Sequence, residues 1–322
     1  MYASSGMDKE WFVERVLVTG GAGYLGSILI PDLLSDGYSV TVLDNFMYRQ
    51  NSLAAACINP NLNIVVGDIR DRTLMKKLVS SHDVVIPLAA IVGAPACNRD
   101  VTAAESINLH AALNLIEISS KDQQIIMPTT NSAYGTTKPG EISFETSKLN
   151  PISSYAKHKV EVESALMENS LNVSFRLATV FGMSPRMRLD LLVNDLCYRA
   201  IHEKSVVLFE ADFVRNYVHV RDVSRVLRWA IGSEVASGEV FNFGLTEANL
   251  SKKDLCAAIQ KHLPSFIFLE AEFGKDPDQR NYIVSNSKIE STGFIFEYGL
   301  NRGLEELIKG LVSLKNSIYS NV

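Results

Sequence analysis

A glycine-rich turn follows the first apolar run of the chain and constrains the fold more than any other feature. The run Val16-Leu-Val-Thr19 leads into Gly20-Gly-Ala-Gly23-Tyr-Leu-Gly26, after which a helical pattern begins. Glycine at these spacings permits a tight turn, lets the backbone approach a pyrophosphate and lets the helix pack closely on its strand. The start of that helix offers free N–H groups to phosphates. The segment therefore predicts the first strand–helix unit of a dinucleotide-binding fold.

Acidic residues end the next two predicted strands. Asp44 stands where a carboxylate would accept hydrogen bonds from the adenosine ribose hydroxyls and repel a 2′-phosphate, which favours NAD over NADP. Arg49 lies close enough in sequence to keep NADP open as an alternative. Asp68 follows the third strand and is a candidate for the adenine amino group, although a lone acid here is also typical of a helix start.

Short β-branched runs alternate with helical patterns through the first half, which is typical of a parallel sheet built from βαβ units. We predict an α/β fold with a doubly wound, Rossmann-type parallel sheet. The predicted strands are Arg15–Thr19, Ser39–Leu43, Asn63–Val66, Asp83–Leu88, Gln124–Pro128 and Val173–Leu177. The predicted helices are Tyr24–Leu34, Arg72–Ser80, Ala103–Ser119 and Tyr155–Met167.

The second half is less regular and predicts a smaller, intertwined C-terminal substrate domain. Its predicted elements are a helix over Leu189–His202, an extended segment Arg215–Val220, a helix from Asp222, a strand at Val240–Phe243, a capped helix start at Ser251 and a helix over Leu304–Leu314. The late strand could rejoin the main sheet. We therefore assign residues 13–182 with about 216–245 to the dinucleotide-binding domain, and 183–215 with 246–322 to the substrate domain.

Composition excludes several classes of protein. The chain has 322 residues, of which 47% are hydrophobic and 21% charged, so it is neither disordered nor fibrous. A net charge of −5 argues against a nucleic-acid partner. The apolar stretch Val84–Cys97 is too short for a bilayer, and no signal peptide is evident. Four scattered cysteines indicate a reducing cytoplasm without a disulfide framework or a metal site.

A tyrosine and a lysine four residues apart indicate general base chemistry. Tyr155 and Lys159 share one face of a predicted helix. A phenol has an ordinary pKa of about 10, and a nearby ammonium lowers it toward the working range of a base. Thr130, at the exit of the fifth predicted strand, supplies a hydroxyl partner. The tyrosine–lysine pair alone is also typical of a surface helix, and the threonine alone of a strand exit. Because all three follow a dinucleotide-binding loop, we interpret them as a catalytic group.

At these motifs the chain resembles the extended short-chain dehydrogenases/reductases, in the NAD-dependent nucleotide-sugar epimerase/dehydratase group, over roughly residues 14–312. The resemblance implies a catalytic set of Thr130, Tyr155 and Lys159. It implies NAD contacts from the same tyrosine and lysine and from Gly20, Gly23, Tyr24, Leu25, Gly26, Asp44, Asn45, Asp68, Ile69, Leu88, Ala89 and Ala90. It also implies a homodimer formed through the predicted helices Ala103–Ser119 and Tyr155–Met167.

The substrate side resembles the same family. Arg215 opens a segment similar to the family's R-D-(F/Y)-x-H-V-x-D, whose first arginine grips a pyrophosphate, and Arg280 matches a second phosphate-binding arginine. Guanidinium groups suit diphosphates because they bond bidentately and keep their charge. The implied contacts of a nucleotide-diphosphate sugar are Val92, Asn131, Ser132, Thr179, Arg186, Arg188, Asn194, Arg215 and Arg280.

One departure from the family pattern narrows the predicted reaction. The 4,6-dehydratases place Asp-Glu after the catalytic threonine, whereas this chain has Asn131 and Ser132, which cannot exchange protons at pH 7. The resemblance then implies oxidation at C4 of the sugar. Ser184-Pro-Arg-Met-Arg188 is similar to a subgroup with GDP-heptose 4-dehydrogenases of capsular polysaccharide synthesis. A 4-epimerase with recycling NAD is the alternative, and a non-catalytic dinucleotide sensor is a third interpretation.

Overall fold

The computed structural model describes residues 15–49, 51–138, 140–271 and 280–314. The strands are β1 Arg15–Thr19, β2 Ser39–Asp44, β3 Leu62–Val66, β4 Val84–Pro87, β5 Gln124–Thr130, β6 Ile142–Ser143, β7 Val173–Leu177, β8 Thr179–Phe181, β9 Ser205–Leu208, β10 Val214–His219, β11 Val240–Phe243, β12 Asn249–Ser251, β13 Ile267–Glu270 and β14 Ile283–Val284. The α-helices are α1 Gly26–Ser35, α2 Arg72–Val79, α3 Ala94–Arg99, α4 Val101–Glu105, α5 Ala112–Ile118, α6 Ser154–Leu166, α7 Leu192–His202, α8 Val220–Trp229, α9 Lys252–His262, α10 Ser287–Ser291 and α11 Leu300–Leu311.

A seven-stranded parallel sheet forms the centre of the molecule, in the order β11-β7-β5-β4-β1-β2-β3. Its middle strands are buried on both faces, which is why their sequences read as continuous apolar runs. The order of the strands changes direction at β1. From β1 the chain adds β2 and β3 on one side of the sheet, and it then crosses to add β4 and β5 on the other side. Ligands of open α/β sheets bind outside the carboxyl ends of the strands at such a switch point.

All six strands predicted in the first half are present, and the doubly wound fold is confirmed. The differences lie at element ends: β5 continues to Thr130 and α1 begins at Gly26, two residues after its predicted start. The predicted extended and helical segments near residue 220 are β10 and α8, which meet at His219. The last helix, α11, begins at Leu300, four residues before its predicted start.

The predicted return of the late strand is also observed. β11 pairs in parallel with β7, and it places Phe241 and Phe243 against Phe175 in the core. The preceding helix, α8, is tied to α1 by an ion pair between Arg228 and Asp36 at 2.6 Å. The chain therefore crosses from the main sheet into the smaller region and back.

The smaller region holds short strands, of which only β10 was predicted. Within the described residues these strands form a three-stranded sheet, β12-β10-β8, and two two-stranded sheets, β13-β9 and β14-β6. The predicted helix start at Ser251 is confirmed, with a reciprocal capping box to Asp254. Among the described residues, no helix is both long enough and apolar enough to cross a membrane.

The predicted helix over residues 103–119 has a π-helical interior. α4 and α5 flank a π segment, Ser106–Ala111. Within it the buried Asn108 accepts a hydrogen bond from the Ile91 amide at 2.9 Å and donates one to the Ile91 carbonyl at 2.8 Å. π segments of this kind are frequent beside functional sites. Here the segment fixes the loop that follows β4.

Candidate functional site

The glycine turn after β1 is shaped to receive a phosphate-bearing ligand. A Cβ on Gly26 would lie 2.3 Å from the Gly21 carbonyl oxygen, and Gly20 has φ of +69° with the Ala89 backbone 2.5 Å from its missing Cβ. A Cβ on Gly23, on the cavity wall, would meet only the Gly20 carbonyl oxygen. Two glycines thus make the turn possible, and the third keeps the approach to the backbone open.

The N-terminus of α1 and the end of β2 complete this part of the wall. No described side chain caps α1 at Leu25. The Ser27 and Ile28 amides donate to the Gly23 and Leu25 carbonyls, so a phosphate at this end of the cavity would meet the residues just before them and the positive end of the helix dipole. Asp44 accepts hydrogen bonds from the Ala22 amide at 3.0 Å and the Phe46 amide at 2.8 Å. These bonds orient the carboxylate beside the glycine turn. Asp68 forms a two-point ion pair with Arg70 at the rim.

Three polar side chains meet where β5 ends. Thr130 Oγ1 donates a hydrogen bond to Ser132 Oγ at 3.0 Å and accepts one from the Ser132 amide at 3.1 Å. Arg280 donates to the same Ser132 Oγ. The hydroxyl of Thr130 is therefore held in one orientation at the cavity wall.

α6 places Tyr155 and Lys159 on the opposite side of this group. The helix begins at Ser154, because Ser153 Oγ accepts a hydrogen bond from the Ala156 amide at 3.2 Å. Tyr155 and Lys159 lie one turn apart, and both line the cavity. Lys159 is only 8% exposed and donates from Nζ to the Pro128 carbonyl at 3.2 Å.

The charge environment of Tyr155 differs from the prediction. Burial raises the pKa of Tyr155 to about 12, and Cys97 adds to the rise. The charges that oppose it belong to Arg188 and Arg280. Burial also lowers the pKa of Lys159 to about 8, and its ammonium is directed to the Pro128 carbonyl. The expected lowering of the Tyr155 pKa by Lys159 is thus wrong, and the two arginines act on the phenol in its place.

Replacing Lys159 with methionine should stabilise the protein. The pKa of Lys159 is about 8 in the fold against an ordinary 10.5, so the unfolded chain binds this proton more tightly. The lysine therefore destabilises the fold at pH 7, and the free energy of unfolding rises as pH increases through 8. After allowance for the one hydrogen bond that is lost, Lys159→Met should raise the free energy of unfolding by about 2 kcal/mol at pH 7.

Urea denaturation at pH 7 and at pH 9.5 measures this effect. The free energy of unfolding of the native chain should include a rise due to Lys159 from pH 7 to pH 9.5. The Lys159→Met variant should lack that rise. Lys157→Met, an exposed change on the same helix, should shift stability by less than about 0.5 kcal/mol. A destabilised Lys159→Met variant would contradict the account of this lysine.

One cavity of about 620 Å³ joins the glycine turn to the Thr130–Tyr155 end. This volume is within the range of small-molecule sites. Its wall contains Gly20, Gly23, Tyr24, Leu25, Gly26, Asp44, Asn45, Asp68, Ile69, Leu88, Ala89, Ala90, Val92, Thr130, Ser132, Tyr155, Lys159, Thr179, Arg186, Arg188, Arg215 and Arg280. Nearly all of the predicted site residues are therefore brought together.

Two predicted substrate residues do not line the cavity. Asn194 is fully buried, accepts a hydrogen bond from the Gly182 amide at 3.1 Å and donates to the Arg188 carbonyl at 2.8 Å. Asn131 is also fully buried behind the turn after β5. Asn194 therefore holds a structural position, whereas the predicted substrate contact of Asn131, which lies outside the wall, stays a prediction. Of the segment 276–280, only Arg280 lies within the described residues.

Among the wall residues that were not predicted, Asp190 and Tyr48 make contacts with the predicted arginines. Asp190, within the arginine-rich segment after β8, forms an ion pair of 2.5 Å with Arg188, and both are largely buried. Tyr48, four residues after Asp44, lies under the Arg186 guanidinium, 3.9 Å from its ring centre. Asp190 was adjacent to a motif that had been singled out, whereas Tyr48 carried no signal. Among the described residues, no cluster of three His, Cys, Asp or Glu could hold a metal ion.

A family model confirms the class of protein that this fold and site define. The model of the NAD dependent epimerase/dehydratase family matches residues 16–244. The chain belongs to this family. It is therefore an NAD-dependent enzyme of the nucleotide-sugar epimerase/dehydratase group, and its glycine turn, uncapped helix N-terminus and Asp44 fit that cofactor.

Relatives of known identity span nearly the whole chain. The low-salt glycan biosynthesis protein Agl12 of Haloferax volcanii is 27% identical, over 91% of this chain and 97% of its own length. The UDP-glucose 4-epimerase of Thermotoga maritima, solved with UDP-glucose, is 27% identical with a TM-score of 0.79, covering 92% of this chain and 97% of that one. The UDP-glucuronic acid 4-epimerase of Bacillus cereus, solved with UDP-glucuronic acid and NAD, has a TM-score of 0.82 at 23% identity, covering 93% and 99%.

Proposed function

We propose that this enzyme oxidises C4 of a nucleotide-diphosphate sugar, with Tyr155 as general base. The observation that carries the proposal is the shared cavity: Thr130, Tyr155 and Lys159 line the same space as the glycine turn. A sugar bound at the Thr130 end would therefore lie beside a dinucleotide bound at the turn. Residues 13–182 with 216–245 would hold the cofactor, and 183–215 with 246–322 the sugar nucleotide.

The side chains have distinct tasks in this reaction. Tyr155 takes the proton of the 4-hydroxyl as C4 loses a hydride and becomes a carbonyl carbon. Bound NAD supplies the hydride acceptor. Thr130 would turn its single hydroxyl proton from Ser132 Oγ to the 4-oxygen and fix the direction of that oxygen, while the Ser132 amide continues to hold Thr130 Oγ1. Lys159 anchors the cofactor ribose beside the phenol.

Arginines on the other wall support a doubly charged substrate. Arg215 and Arg280 line the cavity on strands and loops of the smaller region. Two guanidinium groups can bind a diphosphate through paired hydrogen bonds. Arg280 also donates to Ser132, which is bonded to Thr130, so a diphosphate held by Arg280 would be connected to the catalytic hydroxyl through Ser132. This link would align C4 when the nucleotide is bound.

Dehydration is not part of the proposal. The residues after Thr130 are an amide and an alcohol, Asn131 and Ser132, and neither supplies a carboxylate for the elimination. Asn131 is buried away from the wall, and Ser132 is bonded to Thr130. Ser132 is therefore proposed to orient the Thr130 hydroxyl.

Two fates of the 4-keto sugar are proposed. Release of the ketone would make the enzyme a GDP-heptose-like 4-dehydrogenase, which is supported by the resemblance of the Ser184–Arg188 segment. Re-reduction on the other face would make it a 4-epimerase, which is supported by the relative from Thermotoga maritima. We further propose a cytoplasmic homodimer formed through the helical segments Ala103–Ser119 and Tyr155–Met167.

Incubation with NAD and GDP-heptose, UDP-glucose or UDP-glucuronic acid separates these fates. Net absorbance at 340 nm with one of these sugars would establish a dehydrogenase. Conversion to the 4-epimer without net absorbance would establish an epimerase. A 4-deoxy or 4,6-dehydrated product, or NAD binding with none of the sugars altered, would contradict the proposal.

The choice of NAD over NADP should depend on Asp44. Replacing it with asparagine removes the charge that repels a 2′-phosphate and weakens two hydrogen bonds to the ribose. We expect a rise in the NAD dissociation constant of about 10- to 100-fold and a smaller preference for NAD over NADP. Calorimetric titration with both dinucleotides measures this.

Asp68→Asn is the matched control, because Asp68 is bound to Arg70 at the rim and would meet the adenine, not the ribose. Its NAD/NADP preference should be unchanged. An Asp44→Asn variant with the native preference would contradict the proposed role of Asp44.

A further inference from the structure

Arg186 links the two halves of the cavity wall. It belongs to the loop between β8 and α7, on the substrate side of the chain, and is only 2% exposed. Its guanidinium lies over the ring of Tyr48, with 3.9 Å between its central carbon and the ring centre. Tyr48 belongs to the loop after β2, and Asp44 is the last residue of that strand. The side chain therefore extends from the substrate side to the adenosine side.

The backbone of Arg186 is anchored on the helix that faces the phosphates. Its amide donates to Ser27 Oγ at 3.3 Å, in the first turn of α1. Ser184 Oγ lies 2.7 Å from the same Ser27 Oγ and donates to the Tyr24 carbonyl at 2.8 Å. The backbone of the loop is thus fixed at the N-terminus of α1, and the guanidinium lies over Tyr48 and donates to the Met187 carbonyl at 3.4 Å.

The charges around this group favour an anionic ligand. Burial lowers the pKa of Arg186, and the neighbouring charge of Arg188 lowers it further, whereas Tyr48, Asp190 and Asp44 raise it. Asp190 is paired with Arg188, and both oxygens of Asp44 accept backbone amides. The acids on the wall thus have other partners in addition to Arg186. Because Arg186 also lines the cavity, its guanidinium can bind a phosphate there through paired hydrogen bonds.

We propose that Arg186 binds the diphosphate of NAD, and that its contact with Tyr48 holds the cofactor in the cavity. The inference reassigns a residue that the sequence predicted to bind the sugar nucleotide. It rests on NAD binding and not on the proposed C4 oxidation. Because the arginine comes from the substrate side, the cofactor can leave only after the Arg186–Tyr48 contact separates. Slow release is what an oxidation and re-reduction in one site requires.

Binding of NAD to the full chain, without any sugar, tests the proposal. Calorimetry gives the dissociation constant, and stopped-flow displacement gives the dissociation rate. Arg186→Met should raise the constant about 10- to 100-fold, and Arg186→Lys, which keeps the charge without the fork, about 10-fold. Tyr48→Ala should raise the dissociation rate about 5-fold, while Tyr48→Phe, which keeps the ring, should not.

Arg72→Met is the control, because Arg72 forms an exposed ion pair with Glu117 and does not line the cavity. Its NAD constant should be native. Native NAD binding by a folded Arg186→Met variant would overturn the proposal, and so would equal weakening by Arg186→Met and Arg72→Met. Should Arg186→Met fail to fold, Tyr48→Ala decides, and a native dissociation rate in that variant overturns it. If the proposed C4 oxidation is wrong, the native enzyme will bind NAD but will not turn over the sugars, and the effects of Arg186→Met and Tyr48→Ala on NAD binding will be unchanged.

Discussion

Replacing Tyr155 with phenylalanine is expected to lower turnover of the nucleotide sugar about 10³-fold. The change deletes one oxygen, which is the only atom proposed to take the proton of the 4-hydroxyl, and general base catalysis contributes about 10²- to 10⁴-fold. The ring, the helix and Lys159 remain. Binding of NAD should therefore stay within about 2-fold of the native value, since the phenol oxygen adds little to affinity.

Steady-state kinetics and NAD titration of the same preparation measure both effects. Tyr38→Phe, at a partly exposed tyrosine after α1, is the control and should keep native turnover. Turnover within 10-fold of native in Tyr155→Phe would contradict the role of Tyr155. Loss of NAD binding in that variant would show that the phenol serves binding instead.

The same tyrosine should make activity rise with pH. Because the pKa of Tyr155 is raised to about 12 by burial, only a small fraction is ionised at neutral pH, and that fraction increases with pH. kcat/KM should therefore rise from pH 6 toward pH 9. Arg280→Met removes a charge that lowers this pKa, so its profile should be displaced to higher pH. An identical profile in that variant would contradict the influence of Arg280 on the phenol.

The second large effect is expected at a buried ion pair behind the site. Arg176 Nη2 lies 2.6 Å from Glu163 Oε1, and both side chains are 7% exposed. Thr129 and Ser174 donate to Glu163 Oε2 at 2.8 and 2.7 Å. Removing one partner leaves an uncompensated buried charge, so Glu163→Ala should lower the free energy of unfolding by about 3–5 kcal/mol.

Chemical denaturation at pH 7 measures this loss, with Glu117→Ala as the matched control. Glu117 forms an exposed pair of 2.7 Å with Arg72 and should contribute less than about 0.5 kcal/mol. A loss below about 1 kcal/mol for Glu163→Ala would contradict the account of the buried pair. Glu163 and Tyr155 both belong to α6, and Arg176 belongs to β7. The ion pair therefore also joins the helix that carries Tyr155 to the central sheet.

The parts of the site that could be predicted from sequence are those fixed by local geometry. The glycine turn demands Gly20 and Gly26 because a Cβ would collide with neighbouring backbone, and that requirement is visible in the spacing alone. The i,i+4 pair of Tyr155 and Lys159 is likewise local. The environment of Lys159 is not, because its burial and its bond to the Pro128 carbonyl depend on how α6 packs on β5.

Long-range contacts account for the errors. Asn194 was predicted to contact the substrate, but its side chain bonds to Gly182 and Arg188 in the preceding loop and to Tyr24, 170 residues away. Tyr48 and Arg186 are separated by more than one hundred residues along the chain, and no spacing rule brings them together. Periodicity and motif spacing carry no information on such pairs.

The central claim is that C4 of a bound sugar gives its hydride to NAD at the Thr130–Tyr155 end of the cavity. The most direct measurement follows deuterium from C4-deuterated GDP-heptose or UDP-glucose to the nicotinamide in a single turnover, by mass spectrometry of the quenched cofactor. The account predicts that reduced nicotinamide trapped during the turnover carries deuterium in the native enzyme, whether the ketone is later released or re-reduced, and that Tyr155→Phe gives almost none. A reduced nicotinamide without the label, or a converted sugar formed with no labelled reduced nicotinamide at any quench time, would contradict it.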